Sequence, residues 1–125
     1  MTKTQTTREI LADLVGFDTT SAGSNLALIE HVRAYLAGHG VTAEIFPSAD
    51  GTKASLWATI GPAGPGGIIL SGHTDCVPVE GQAWSSDPFV LTERDSRLYG
   101  RGACDMKGFD AAALAIVPEL VAAKL

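Results

Sequence analysis

Little in this chain of 125 residues places it outside ordinary globular folding. It has no run of basic residues. Nine Lys and Arg are scattered among 14 Asp and Glu, for a net charge of −5. A sequence without a basic stripe is not built to neutralise phosphates, so nucleic acid and anionic membrane surfaces are excluded as partners. Long apolar stretches are missing as well. The longest, Ala111 to Val117, falls far short of the ~20 residues a membrane span requires. The start, Met1 to Arg8, is polar and threonine-rich and lacks the apolar core of a secretory signal. Cysteine is scarce. Cys76 and Cys104 are the only two, and without a secretory context they read as free thiols in a reducing compartment, so a cytoplasmic location is expected. Internal repeats and low-complexity segments are absent. With 46% hydrophobic residues, the chain is long enough to bury one ordinary core, so residues 1–125 read as a single unit.

The patterning that is present alternates between helical and extended periods. Thr6 followed by Glu9 has the spacing of a capping box. Behind it Ile10, Leu11, Leu14 and Val15 recur at helical spacing, and Gly16 closes the segment. A second helix is predicted from about Asn25 to His39, with Leu28, Ile29, Val32, Tyr35 and Leu36 on one face and Gly40 as a left-handed stop. The period then becomes two, predicting a hairpin of Val41–Ile45 and Ala54–Ile60 around Asp50-Gly51. A Gly/Pro loop from Gly61 to Gly66 leads into Ile68-Ile69-Leu70, a continuous apolar run of the kind found in a strand covered on both faces. Val77 to Ser86 reads as irregular. Phe89–Thr92 and Leu98-Tyr99 predict a second hairpin, and Met106–Val117 an alanine-rich helix interrupted at Pro118. This order implies a layered α/β architecture.

Two segments carry the chemistry. In Ser71-Gly72-His73-Thr74-Asp75, an extended backbone puts His73 and Asp75 on one face at the end of the Ile68–Leu70 run, the edge where open α/β sheets place ligands. A metal-binding histidine needs its second nitrogen held by a carboxylate, and His-x-Asp supplies that pairing locally. Taken alone the motif is more often a surface pair or a satisfied core histidine. The second segment is Gly100-Arg101-Gly102-Ala103-Cys104-Asp105-Met106-Lys107-Gly108. Its glycines admit turn conformations and a close helix approach. Asp105 at the helix start reads equally as an N-cap or as a carboxylate able to bridge two metals.

Four motifs between Gly72 and Gly108 decide between these readings. Gly72-His73-Thr74-Asp75-Cys76-Val77-Pro78, Trp84-Ser85-Ser86-Asp87-Pro88-Phe89, Leu98-Tyr99-Gly100-Arg101-Gly102 and Asp105-Met106-Lys107-Gly108 occur in order. Together they resemble the N-terminal signature of the di-zinc metallopeptidase/deacylase family, which includes acetylornithine deacetylases, succinyl-diaminopimelate desuccinylases, aminoacylases and carboxypeptidases. The likeness is greatest to the acetylornithine deacetylase type. It implies a three-layer mixed-sheet catalytic domain, of which this chain is the N-terminal part, and a homodimeric complete protein. It implies His73 as ligand of one metal, Asp105 as the carboxylate bridging both, Asp75 as the partner orienting His73, and a cis peptide at Asp105-Met106. The metals implied are two divalent ions, zinc or cobalt. The reaction implied is hydrolysis of a small N-acyl amino acid, acetylornithine to ornithine and acetate in arginine biosynthesis. A succinylated substrate or another N-acyl amino acid is the alternative within the family.

The chain also departs from the pattern. After Asp110 it offers only Glu119 as an acidic side chain and no histidine, whereas the family's glutamate base and remaining ligands follow the bridging aspartate. The lid or dimerisation domain is absent too. The 125-residue chain is therefore expected to be inactive alone, and a non-catalytic metal-binding or interaction module is the reading from a different class. Cys76 and Cys104 flank the ligand positions. They read as buried packing cysteines, the rival being an incomplete zinc site with His73. Ser96 stands where the hairpin usually has glycine, which predicts a non-glycine residue at positive φ. Trp84, Pro88 and Phe89 read as loop packing beneath the site, and Arg101 as half of a structural salt bridge.

Overall fold

Helix α1, Thr7–Val15, begins where its capping box predicts. In the computed structural model, which describes residues 4–125, Thr6 Oγ1 accepts the Glu9 N–H at 3.2 Å and Glu9 Oε2 accepts the Thr6 N–H at 2.7 Å. Two backbone donors that a helix start leaves without partners are thereby satisfied. Met1–Lys3 of the polar start lie outside the described residues. Helix α2, Leu26–Gly38, follows the predicted span, and Gly40 takes the left-handed conformation expected of it, with φ 78°. The apolar stripes of the two helices bury Ile10, Leu14, Val15 and Leu28 almost completely. Each such side chain is worth ~1.5–3 kcal/mol relative to exposure.

Strands β1, Ala43–Pro47, and β2, Ala54–Ala58, form an antiparallel hairpin with Ile45 opposite Leu56. Its inner residues Ala43, Ala54, Leu56 and Ala58 join the core against α2. The second hairpin pairs β3, Thr92–Arg94, with β4, Arg97–Tyr99. Its turn falls within Arg94–Arg97 as expected, at Asp95-Ser96, but the strand starts later than the apolar residues predict, because Phe89 and Val90 belong to a turn closed by Val90 N–H to the Asp87 carbonyl at 3.2 Å. Asp95 and Ser96 both adopt positive φ, 51° and 59°, as the twist of a two-residue hairpin loop requires.

Ile68-Ile69-Leu70 corrects the sequence reading. The run forms no strand and is exposed, Ile68 at 91% and Ile69 at 70%. A doubly covered strand exists only between lateral partners, and no described residue pairs with this run. The described strands accordingly form two separate two-stranded sheets within a mixed α/β structure.

The predicted C-terminal helix divides in two. Helix α3, Gly108–Ala115, packs against α1, and α4, Val117–Ala122, carries Pro118 in its first turn, so the break falls at Ile116. Proline is tolerated in a first turn, where its missing N–H costs no hydrogen bond. Tyr35 donates to the Leu114 carbonyl at 3.2 Å, tying α2 to α3. Among the described residues no helix is long and apolar enough to cross a membrane.

Candidate metal centre

His73, Asp75 and Asp105 meet at the surface where the 70–76 segment passes the turn leading into α3. His73 Nε2 lies 2.9 Å from Asp105 Oδ1 across 32 residues of sequence. On the other side of the ring, Nδ1 lies 3.1 Å from Asp75 Oδ1 and 3.1 Å from the Asp75 carbonyl. The pairing of His73 with Asp75 is thus made without a regular strand, by a local bend that brings a carboxylate back onto its own histidine.

Asp105 is not a cap. The N-cap position of α3 is Lys107, and no side chain caps that helix. Asp105 instead sits in a wide turn from Gly102 to Lys107, closed by Lys107 N–H to the Gly102 carbonyl at 2.9 Å. Its own backbone is extended, with φ −124° and ψ 95°, and its peptide bond to Met106 is cis. The turn opens on Gly102 at φ 77°, which L-residues rarely adopt. Gly100 serves differently: a Cβ there would stand 2.7 Å from Val15 Cγ1, so glycine permits close approach to α1.

The turn is anchored below by Lys107, which is fully buried and donates to the Phe17 carbonyl at 2.8 Å. Burial pushes its ammonium below the usual lysine range, against the attraction of Cys76, Asp18 and Asp110.

Electrostatics follow from these contacts. Burial alone would lower the pKa of His73, but the Asp105 hydrogen bond, the Asp75 carbonyl and the charges of both aspartates outweigh it and raise it. The Asp75 carboxyl is held below the ordinary range, first by the Ser21 hydroxyl and then by His73, against the opposing effect of burial. Both ring nitrogens of His73 face acceptors, so only the doubly protonated ring donates to both. To hold a divalent cation together, His73 and Asp105 would have to give up this hydrogen bond, the neutral ring keeping its Nδ1 proton on Asp75 and offering its Nε2 lone pair beside the Asp105 carboxylate. Among the described residues no group of three or more His, Cys, Asp or Glu is placed to hold a metal. The chain offers a converging pair of ligand types, not a closed set.

His73 and Asp75 separate two cavities. One, of about 200 Å³, is bordered by Asp105, Cys104, Gly102 and Arg101. The other, of about 640 Å³, is mostly apolar and includes Asn25, Leu70 and Asp110. Asp110 was not singled out by the sequence. Burial pushes its carboxyl up to about 6, with His73 and Lys107 pulling the other way, and its Oδ2 is buried without a hydrogen-bond partner.

No local pattern marks Ser21 or Asn25 as part of the site. Ser21 Oγ donates to Asp75 Oδ2 at 2.7 Å, and Asn25 Nδ2 donates to Thr74 Oγ1 at 3.0 Å. Both sit in a polar loop where serine and asparagine are ordinary.

Cys76 is buried as expected, but Cys104 is exposed on the Asp105 turn, and the two do not form a metal group with His73. Arg101 makes no salt bridge among the described residues. It donates to Gln82 Oε1 and to the Pro78 carbonyl, and its guanidinium lies 5.1 Å from the Trp84 ring centroid. Trp84, Pro88 and Phe89 are half-buried in the loop beside it.

Comparison with known proteins places this geometry in context. A sequence model described as peptidase family M20/M25/M40 matches residues 69–125. An acetylornithine deacetylase of Photorhabdus laumondii subsp. laumondii is 49% identical over 87 residues, which cover 69% of this chain and 22% of that protein. One of Myxococcus xanthus is 46% identical over 112 residues, covering 86% of this chain and 29% of that protein. The fold is similar to human carnosine dipeptidase 1, with a TM-score of 0.76 at 24% identity, over 94% of this chain and 28% of that one. The chain thus spans between 22% and 29% of the length of these two deacetylases.

Proposed function

The chain is a partial member of peptidase family M20/M25/M40, and on that premise we propose that it supplies one side of a two-metal centre in an enzyme that hydrolyses an N-acyl amino acid. Acetylornithine, giving ornithine and acetate, is the proposed substrate, in line with the named activity of its relatives. The observation that carries the reading is the approach of His73 Nε2 to Asp105 Oδ1 at 2.9 Å, between residues remote in sequence.

In this reading His73 is a ligand of one metal and Asp105 the carboxylate shared by both. Asp75 is the partner that holds His73. A divalent metal, zinc or cobalt, would supply Lewis acidity toward the acyl carbonyl. The chain's own residues prepare for it. Asp75 retains the Nδ1 proton, so that the Nε2 lone pair and the Asp105 carboxylate face the same point. The Asp105 side chain is 85% exposed and presents its charge on the open side of the site, where an acyl substrate arrives.

The glutamate that takes a proton from water and delivers it to the departing amine, and the remaining ligands, lie in our reading within a longer polypeptide. Residues 1–125 form the N-terminal part of its three-layer catalytic domain. The complete protein is proposed to be a cytoplasmic homodimer with a small-molecule substrate. Among the described residues, Glu119 stands on α4 and joins neither cavity beside His73.

The test is turnover and metal content of the complete protein with acetylornithine, a succinylated diamino acid and dipeptides as alternatives. His73→Ala and Asp105→Asn should each lower kcat/KM by at least ~10³-fold and reduce bound zinc. Undiminished turnover in Asp105→Asn, or after exhaustive chelation, overturns the reading. Turnover of a different acyl amide corrects only the substrate.

A further inference from the structure

We propose that Ser21 is a positioning residue for His73, acting through the carboxylate of Asp75. The inference rests on the reading of His73 as a metal ligand held by Asp75.

The two oxygens of Asp75 have separate partners. Oδ1 lies 3.1 Å from His73 Nδ1, and Oδ2 accepts the Ser21 hydroxyl at 2.7 Å. A carboxylate on a half-exposed loop rotates freely unless both ends are held, and a histidine borne by a rotating carboxylate is not fixed in orientation. Ser21 supplies the second hold.

Ser21 is itself held by backbone rather than by side-chain chance. Thr20 and Cys76 form an isolated parallel bridge. Cys76 N–H donates to the Thr19 carbonyl at 3.1 Å, and Ser21 N–H donates to the Cys76 carbonyl at 3.0 Å. The Thr19 hydroxyl, in a residue only 3% exposed, donates to the Thr74 carbonyl at 2.5 Å. The Ser21 carbonyl accepts Lys53 Nζ from the first hairpin.

The strap starts just past α1, whose Leu14 and Val15 are sealed in the core, and Lys107 fastens Phe17 at its root. Rigid packing in α1 is thereby carried through Ser21 and Asp75 to the ring of His73. The same Lys107 ties down the turn that bears Asp105, so both sides of the site are referred to one buried helix end.

The experiment measures zinc affinity by chelator competition on the complete protein, together with ¹⁵N ring shifts of His73. Ser21→Ala should weaken zinc binding ~3–10-fold, less than the ~10–100-fold expected for Asp75→Ala. It should also shift the His73 Nδ1 resonance, which a purely structural role for Ser21 would leave in place. Ser21→Thr, keeping the hydroxyl, should restore both to within about twofold. In an Asp75→Ala background, Ser21→Ala should add nothing.

Wild-type affinity and ring shifts in Ser21→Ala overturn the proposal, as does an equal loss in the Asp75→Ala background. If Ser21→Ala does not fold, Ser21→Thr against Ser21→Val asks the same question at constant shape, and equal affinities of that pair overturn it. Should His73→Ala itself leave zinc affinity unchanged, the underlying reading of the metal centre fails, separately from any result at Ser21.

Discussion

The helical and extended regions of this molecule differ in how completely they satisfy themselves. On the side of α1, α2 and α3, Leu14 is 1% exposed, Val15 0% and Ala111 0%. On the other side, Ile68 is 91% exposed, Phe46 54% and Trp57 47%. The sequence is about as apolar in both regions, so hydrophobicity does not explain the contrast. A helix makes its backbone hydrogen bonds within itself and needs only one packed face. A strand needs neighbours on both edges, and a doubly covered strand needs layers above and below as well. The helices find their partners within these residues, and the Ile68–Leu70 run does not. The candidate metal centre lies along this divide, with His73 and Asp75 on the extended side and Asp105 on a turn bound to the helices.

The contrast breaks most sharply under paired truncations. Leu14→Ala should destabilise the 125-residue chain by ~2–5 kcal/mol, enough to erase a cooperative transition in a domain of ordinary marginal stability. Ile69→Ala should change it by less than ~0.5 kcal/mol, as for an exposed site. Urea denaturation followed by circular dichroism reads both. If Ile69→Ala costs as much as Leu14→Ala, the run is packed in solution and the two regions do not differ in this way.

What the sequence disclosed divides in the same way. The capping box at Thr6 and Glu9, the faces of α1 and α2, and the glycine stop at Gly40 are local signals, and each is realised. The Ile68–Leu70 strand failed because its formation depends on partners that a local pattern cannot supply. At the site, residue type and spacing offer His73, Asp75 and Asp105 as candidates, motif resemblance decides between their readings, and the structure brings the three together. Asp105 as an N-cap is equally plausible from spacing, and what removes it is the start of α3 at Gly108, with Lys107 in the N-cap position and no side chain capping the helix. Ser21, Asn25 and Asp110 were invisible because their importance comes from where the chain crosses itself. No periodicity marks a serine that meets an aspartate 54 positions away.

Asp110 sharpens the comparison, because it lies on α3 yet faces the cavity between the two regions, with His73 and Lys107 as the charged groups around it. Its carboxyl binds a proton more tightly when folded, with the pKa raised from 3.8 to about 6. The neutral form is therefore the one the fold favours. Its contribution is fully present below pH ~4 and is lost as pH rises through ~6. Asp110→Asn removes that loss. In the metal-free chain, the variant should gain on the order of 1 kcal/mol relative to the parent between pH 4 and pH 7.5, because the half-open site leaves part of the shift to solvent screening. A difference constant across that range in chelator-treated urea titrations would show that the cavity is wet enough to solvate the carboxylate, and that the boundary between the regions is already open to water.

The smallest effect tests whether anything on the extended side is fixed locally. The β3–β4 hairpin is held at its tip by Asp95 and Ser96, both at positive φ. For L-residues that conformation costs ~1–2 kcal/mol each, less for aspartate. Ser96→Gly gives the Asp-Gly pair that such turns favour. Glycine also enlarges the conformational freedom of the unfolded chain, which takes back part of the gain. The net expectation is a stabilisation of about 0.5 kcal/mol. It should appear as slower hydrogen exchange at the amides of Thr92 and Tyr99, the hydrogen-bonded pair beyond the tip, rather than as a shift of the global transition. Faster exchange there would mean that tertiary contacts, such as Arg94 over the Tyr99 ring at 4.5 Å, set the turn. The hairpin would then depend on its surroundings as much as the Ile68–Leu70 run does.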